Sequence, residues 1–204
     1  MNRFDGNCFV GNWPFYRVNE KTVEGLLNVH KRYGFTGGFL SSLEAVFYQD
    51  PFEAESQLAI EIKGTPYRHI MVLNPMLPAW KDDLDRGVEK LGVAGVRLMP
   101  GFHGYTLDDF VLDEVIEQVK KYNLYLLITL RMHDDRMTWM YHPRSIPMEE
   151  ICRFVNRNHD VRILLNHIGS HEIKQMNTLG VIWDNLFVDT YGFKGGVNPV
   201  ESVV

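Results

Sequence analysis

Apolar and polar positions alternate along this chain between two periods. Short, partly β-branched runs predict buried strands over residues 3–10, 38–42, 68–73, 93–99, 124–130, 161–166 and 186–189. Between them, stretches with apolar residues three and four apart predict helices over 20–33, 51–64, 79–91, 108–122, 145–155 and 172–179. Val23, Leu26, Leu27 and His30 share one helical face, as do Leu84, Val88 and Leu91. Punctuation agrees with the periods. Gly34 stands at a C-cap position, Asp50-Pro51 reads as an N-cap followed by the first helical residue, and Glu53 completes a capping-box pattern.

Strict strand-helix alternation argues for parallel strands joined by right-handed crossovers, in a (β/α)8 barrel or a doubly wound sheet. Long loops follow strands one, four and five and carry His, Arg, Asp and aromatic residues, whereas the loops after helices are short. In a barrel, that asymmetry puts the reactive face at the C-terminal ends of the strands. There is no GxGxxG after the first strand and no GxxxxGK[ST], which weakens nucleotide-binding readings. The expected fold is a TIM-barrel-like α/β domain over residues 1–204, with seven strands readable and an eighth missing. Strands one and seven would then keep open edges, so a homo-oligomer is expected.

Composition narrows the partners. A net charge of -5 without a Lys/Arg cluster gives no footprint for nucleic acid. No apolar run is long enough to span a membrane, and the first residues lack the apolar core of a signal peptide. Cys8 and Cys152 form no CxxC and read as buried thiols of a reducing, cytoplasmic compartment.

The candidate chemistry centres on GVAGVRLMPGFHGY, residues 92–105: a short strand, a Pro-Gly turn, and Arg97, His103 and Tyr105. An Arg inside a buried run is costly unless it is paired, so Arg97 meets either an acid in a rim salt bridge or an anionic ligand. Asn7, Trp13 and Arg17 follow the first strand. Arg131, His133, Asp134, Asp135 and Arg136 follow the fifth, with His142 further on. Asn7, Trp13, Arg97, Tyr105, Arg131, Arg136 and His142 are candidates for binding a small anionic substrate, because Arg forks carboxylate or phosphate and the others add directional bonds. Trp13, Phe15, Trp139 and Tyr141 could wall or cover a pocket. His103 beside Asp134 could act as a general acid or base. The alternative is that the charges of residues 131–136 pair among themselves and stiffen a loop.

The opening DGNCFVG, LNPMLPAW with GVAGVRLMP after it, ILLNHIG and NLFVDTYG, in that order, resemble the amidohydrolase superfamily of metal-dependent hydrolases and decarboxylases on TIM barrels. The resemblance covers the whole chain. It implies a metal held by two His of a D-x-H-x-H-x-G motif on strand one, where this chain has Asp5, Asn7, Phe9 and Gly11. A further metal His on strand five corresponds to the 128–130 stretch, the strand-six His is kept as His167, and the strand-eight Asp has no counterpart. One His does not hold a catalytic metal, so no metal ligand and no cofactor is assigned, and a divalent ion is disfavoured. The resemblance implies a hydrolase or decarboxylase, with His167 as its retained His; the residues themselves offer His103 and Asp134 as the other catalytic candidates and a small, anionic substrate. The alternative is an inactive barrel that binds a small metabolite.

Overall fold

The computed structural model describes residues 3–132 and 143–189. Seven strands alternate with helices: β1 (Arg3–Val10), α1 (Val23–Tyr33), β2 (Phe35–Ser42), α2 (Pro51–Glu61), β3 (Tyr67–Val72), α3 (Trp80–Arg86), β4 (Gly95–Leu98), α4 (Pro100–His103), α5 (Val111–Lys121), β5 (Tyr125–Thr129), α6 (Met148–Arg157), β6 (Ile163–Asn166), α7 (Ser170–Thr178) and β7 (Leu186–Val188). The chain forms two compact units, Met1–Arg97 and Leu98–Val204. Strands neighbour one another in chain order, β1-β2-β3-β4 and β5-β6-β7, and their pairing is parallel. This is the TIM-barrel-like α/β progression through its seventh strand.

In the first unit, register sets two faces. Cys8, Val10, Leu40 and Tyr67 pack with Val23, Leu58 and Ile62 of the helical layer. Each of these apolar side chains contributes about 1.5–3 kcal/mol on burial. A second patch joins Met71 to Phe52 and Val93. Glu55 fastens α2 to β3 from within this layer. Its Oε2 lies 2.6 Å from His69 Nε2, its Oε1 accepts from the Val72 N–H at 2.8 Å, and both side chains are buried.

The helix limits follow their caps. α1 begins three residues later than its apolar pattern predicts, because the Thr22 hydroxyl accepts the Gly25 N–H. It ends where Gly34 turns left-handed (φ 74°). Asp50 caps α2 through the Phe52 N–H, and the helix stops at Glu61, short of the expected Gly64. α3 stops at Arg86 and passes into a π-turn over Gly87–Leu91, where a side chain on Gly87 would meet Met71 Sδ at 2.8 Å. β4 is shorter than its apolar run, and the Pro-Gly segment after it is the single helical turn α4 rather than a simple turn. Pro100 suits that first turn, and Gly104 (φ 73°) closes it.

In the second unit, Leu126, Leu127, Ile128, Ile163 and Leu165 of the strands are buried, as are Leu112, Val115, Ile151 and Phe154 of the helices. Arg144 and Glu150 lock the segment before α6. The guanidinium grips the carboxylate through two bonds (3.0 and 2.5 Å), and Glu150 also accepts the Leu107 N–H.

Candidate functional site

In the first unit the polar face of the strands carries one constellation. β1 breaks register between Asp5 and Cys8; alternation puts Asn7 and Phe9 on the face opposite Cys8, and the bulge brings Asp5 round to the Cys8 side. Arg97, next to the end of β4, is 0% exposed. Its Nε donates to Ser41 Oγ at 2.9 Å, and one terminal nitrogen donates to Asn7 Oδ1 at 2.7 Å. The guanidinium carbon lies 4.1 Å from the centre of the Phe9 ring. Ser41 can accept from Arg97 because its own hydroxyl proton goes to the Ile70 carbonyl, at 2.7 Å. Neither oxygen belongs to a carboxylate.

Arg has only donors, so the Asn7 amide must turn its oxygen toward Arg97 and its NH2 away. Asn7 and Phe9 are themselves half-buried. The result is a fixed positive charge in a low-dielectric setting, fronted by an oriented amide and an aromatic ring.

These two β1 residues stand where the resemblance places metal-binding His. They do not fit a divalent ion. The Asn7 oxygen is committed to a guanidinium, Phe9 has no donor atom, and a second cation would sit against the Arg97 charge.

Trp13 is buried in an aromatic cluster, 5.6 Å from Phe15 edge-on and 5.3 Å from Phe47. A cleft of about 880 Å³ opens beside α2 and the loop after β1, lined by Lys21, Glu44, Glu53, Gln57 and Glu61 among others. Its charges are mixed and none of the candidate residues lines it.

In the second unit His167 follows β6 with φ 61°, a left-handed conformation rare for a residue with a side chain. Its N–H donates to Asp189 Oδ2 at 2.9 Å, and Asn166 Nδ2 reaches the same oxygen at 3.3 Å. His167 Nδ1 bonds the Arg131 carbonyl. A carbonyl only accepts, so Nδ1 carries a proton. Arg131 pairs with Glu172, whose other oxygen accepts the Gly169 N–H at the start of α7.

His103 ends α4, half-buried, with its ring 6.3 Å from that of Tyr105. Tyr105 is buried, and burial pushes its phenol well above the ordinary tyrosine range. Asp134, Arg136 and His142, with Trp139 and Tyr141, lie outside the described residues.

The structure therefore joins Asn7 to Arg97, and Arg131 to His167. Sequence reasoning missed Ser41, Glu172 and Asp189. Asp189 had a usable signal, an acid ending the apolar run LFV. Ser41 had none, because a Ser inside GFLSS reads as filler.

No family model matches the chain, and no curated protein matches its sequence. Solved structures do. A candidate amidohydrolase from Staphylococcus aureus superposes with a TM-score of 0.72 at 10% identity, over 100% of this chain and 83% of that one. A probable 2-pyrone-4,6-dicarboxylic acid hydrolase from Acinetobacter baumannii, with citric acid bound, gives 0.60 at 14% identity, over 100% and 76%. A 5-carboxyvanillate decarboxylase from Novosphingobium aromaticivorans, with manganese and 3-methoxy-4-hydroxy-5-nitrobenzoic acid bound, gives 0.56 at 15%, over 76% of this chain and 52% of that one. This chain shares the fold of these structures.

Proposed function

We propose that this protein is a hydrolase of the amidohydrolase type acting on a small carboxylate substrate at the C-terminal ends of its strands, with no divalent ion at the β1 positions. The observation that carries the reading is the buried Arg97 charge, dressed by the neutral oxygens of Asn7 and Ser41. A guanidinium is a permanent cation whose planar fork matches a carboxylate. Asn7 is the touching residue, and Arg97 positions its amide through Oδ1. Phe9 supplies an apolar wall. The acids carried by the structural neighbours, citric acid in one and a nitrobenzoic acid in another, support the substrate class.

The test is calorimetric titration with citrate and with aromatic carboxylates, followed by assays of lactone hydrolysis and decarboxylation. Arg97→Lys should weaken carboxylate binding roughly tenfold or more, since Lys cannot hold Ser41 and Asn7 together. Asn7→Asp should abolish binding while keeping the fold, because the new carboxylate neutralises Arg97 in place. Unchanged affinity in both variants would overturn the reading. The second reading is a barrel that binds a metabolite without turning it over. It is favoured by Asn7 and Phe9 standing at both metal positions of β1, and binding without turnover of any substrate tested would select it.

A further inference from the structure

The other face of β1 carries a second, chemically different cluster. The bulge between Asp5 and Cys8 puts these two residues, three apart, together on the helical side. His30, in the last turn of α1, completes the group. One ligand-type atom each from Asp5, Cys8 and His30 lie within 4.8 Å of one another.

Each is already oriented. The Asn7 N–H holds Asp5 Oδ1 at 2.9 Å, while Oδ2 lies 3.2 Å from His30 Nε2. The Tyr67 hydroxyl holds His30 Nδ1 at 3.0 Å, and the Phe35 ring stacks on the imidazole at 4.9 Å. Gly38 makes room for the sulfur: a Cβ there would come within 2.5 Å of Cys8 Sγ. The side chain of Asp5 is 31% exposed, which opens the cluster to solvent on one side.

The trio does not suit nucleophilic catalysis. Both ring nitrogens of His30 are engaged by Asp5 and Tyr67, so His30 is not a base for the thiol. Burial, with Asp5 next in weight, pushes Cys8 far above the usual thiol range.

We infer that Asp5, Cys8 and His30 form a binding site for a thiophilic divalent cation of the zinc type, tying β1 to α1. One carboxylate oxygen, one sulfur and one imidazole nitrogen are a zinc-type donor set, with water at the fourth, solvent-facing position. Closing around an ion asks the three atoms to move in by about an ångström, to the separations that bonds of roughly 2.0–2.3 Å impose. On binding, the ion displaces the Cys8 Sγ proton, which leaves to solvent. The His30 proton moves to Nδ1 and is donated to the Tyr67 oxygen, the second-layer bond that metal-bound His residues keep.

Cobalt(II) reads the site directly. Titrating the purified, metal-stripped protein with Co2+ should produce a stoichiometric near-ultraviolet thiolate-to-cobalt band. Zn2+ should bleach that band and raise Tm by roughly 5–10 °C at 100-fold excess over Kd. Cys8→Ser should lose the band, and Cys152→Ser, which alters the only other thiol, should keep it. His30→Gln, which spares the thiol, should weaken Co2+ at least roughly tenfold. Absence of the band in the unmodified protein, or a band that survives Cys8→Ser, would overturn the assignment. Carboxylate binding should be the same with and without the ion, so this result and that of the Arg97 variants are read separately.

Discussion

His167 and Arg97 are both held more tightly than surface residues of their type, in different ways. His167 accepts a left-handed backbone (φ 61°) because Asp189 takes its N–H and the Arg131 carbonyl takes its ring. Such strain, about 1–3 kcal/mol for a residue with a side chain, persists where surrounding bonds over-determine it. His167→Gly removes the strain along with one ring bond, so its stability should stay within about 1 kcal/mol of the parent. His167→Val keeps the strain and adds a β-branch, and should be roughly 2 kcal/mol less stable than the Gly variant. Urea denaturation of the two compares them directly, and equal midpoints would remove strain from the account. Arg97 was legible as a costly charge in an apolar run. Its partners were not, because Asn7 and Ser41 lie 90 and 56 residues away in sequence.

At the scale of elements, α2 depends on one acid. Glu55 is fully buried between His69 and the Val72 N–H. Removing one member of such a buried pair leaves the other uncompensated, so Glu55→Ala should cost about 3–5 kcal/mol. Glu55→Leu, filling the same space, should cost less than the Ala change. The cap of that helix is worth less: Asp50→Ala should cost about 1 kcal/mol, read as a shifted midpoint with unchanged slope. In the second unit Arg153 holds the Asp108 carboxyl below the ordinary carboxylate range, by a hydrogen bond first and by charge second. An acid whose pKa is lower folded than unfolded stabilises above its unfolded value, near 4, and loses that contribution as pH falls through the folded value. The pair is exposed, so Asp108→Asn should flatten acid denaturation by less than about 1 kcal/mol. The start of α2 at Asp50 and the end of α1 at Gly34 were readable from their capping residues. The ends of α2 and α3 were not. α2 stops before Gly64, which turns left-handed (φ 79°), and α3 passes into a π-turn where Gly87 lies close against Met71.

At the scale of the whole molecule, the end strands carry apolar side chains outward. Phe4 of β1 is 47% exposed and Phe187 of β7 is 56% exposed. Apolar residues on end strands favour pairing with another copy. Phe4→Lys and Phe187→Lys together should therefore lower the self-association seen by light scattering, and a mass that does not depend on concentration in the unmodified protein would count against it.

The alternation of short apolar runs with amphipathic stretches was enough to establish seven parallel strands and the helices between them. Burial of apolar faces imposes those periods on any chain of this topology, so they survive in the sequence alone. The motif order pointed to the same superfamily fold that the solved structures match at 10–15% identity. What tertiary structure decided is which side chains meet. A one-residue bulge in β1 puts Asp5 with Cys8 beside His30, while Asn7 and Phe9 face Arg97. Strict alternation along 3–10 would have put Asp5 on the Asn7 and Phe9 face, because a single inserted residue reverses the side chains on either side of it relative to one another. The bonds from His167 to Asp189 and Arg131 likewise join positions 22 and 36 residues apart. Local periodicity contains no term for such distances, and only the folded chain supplies them.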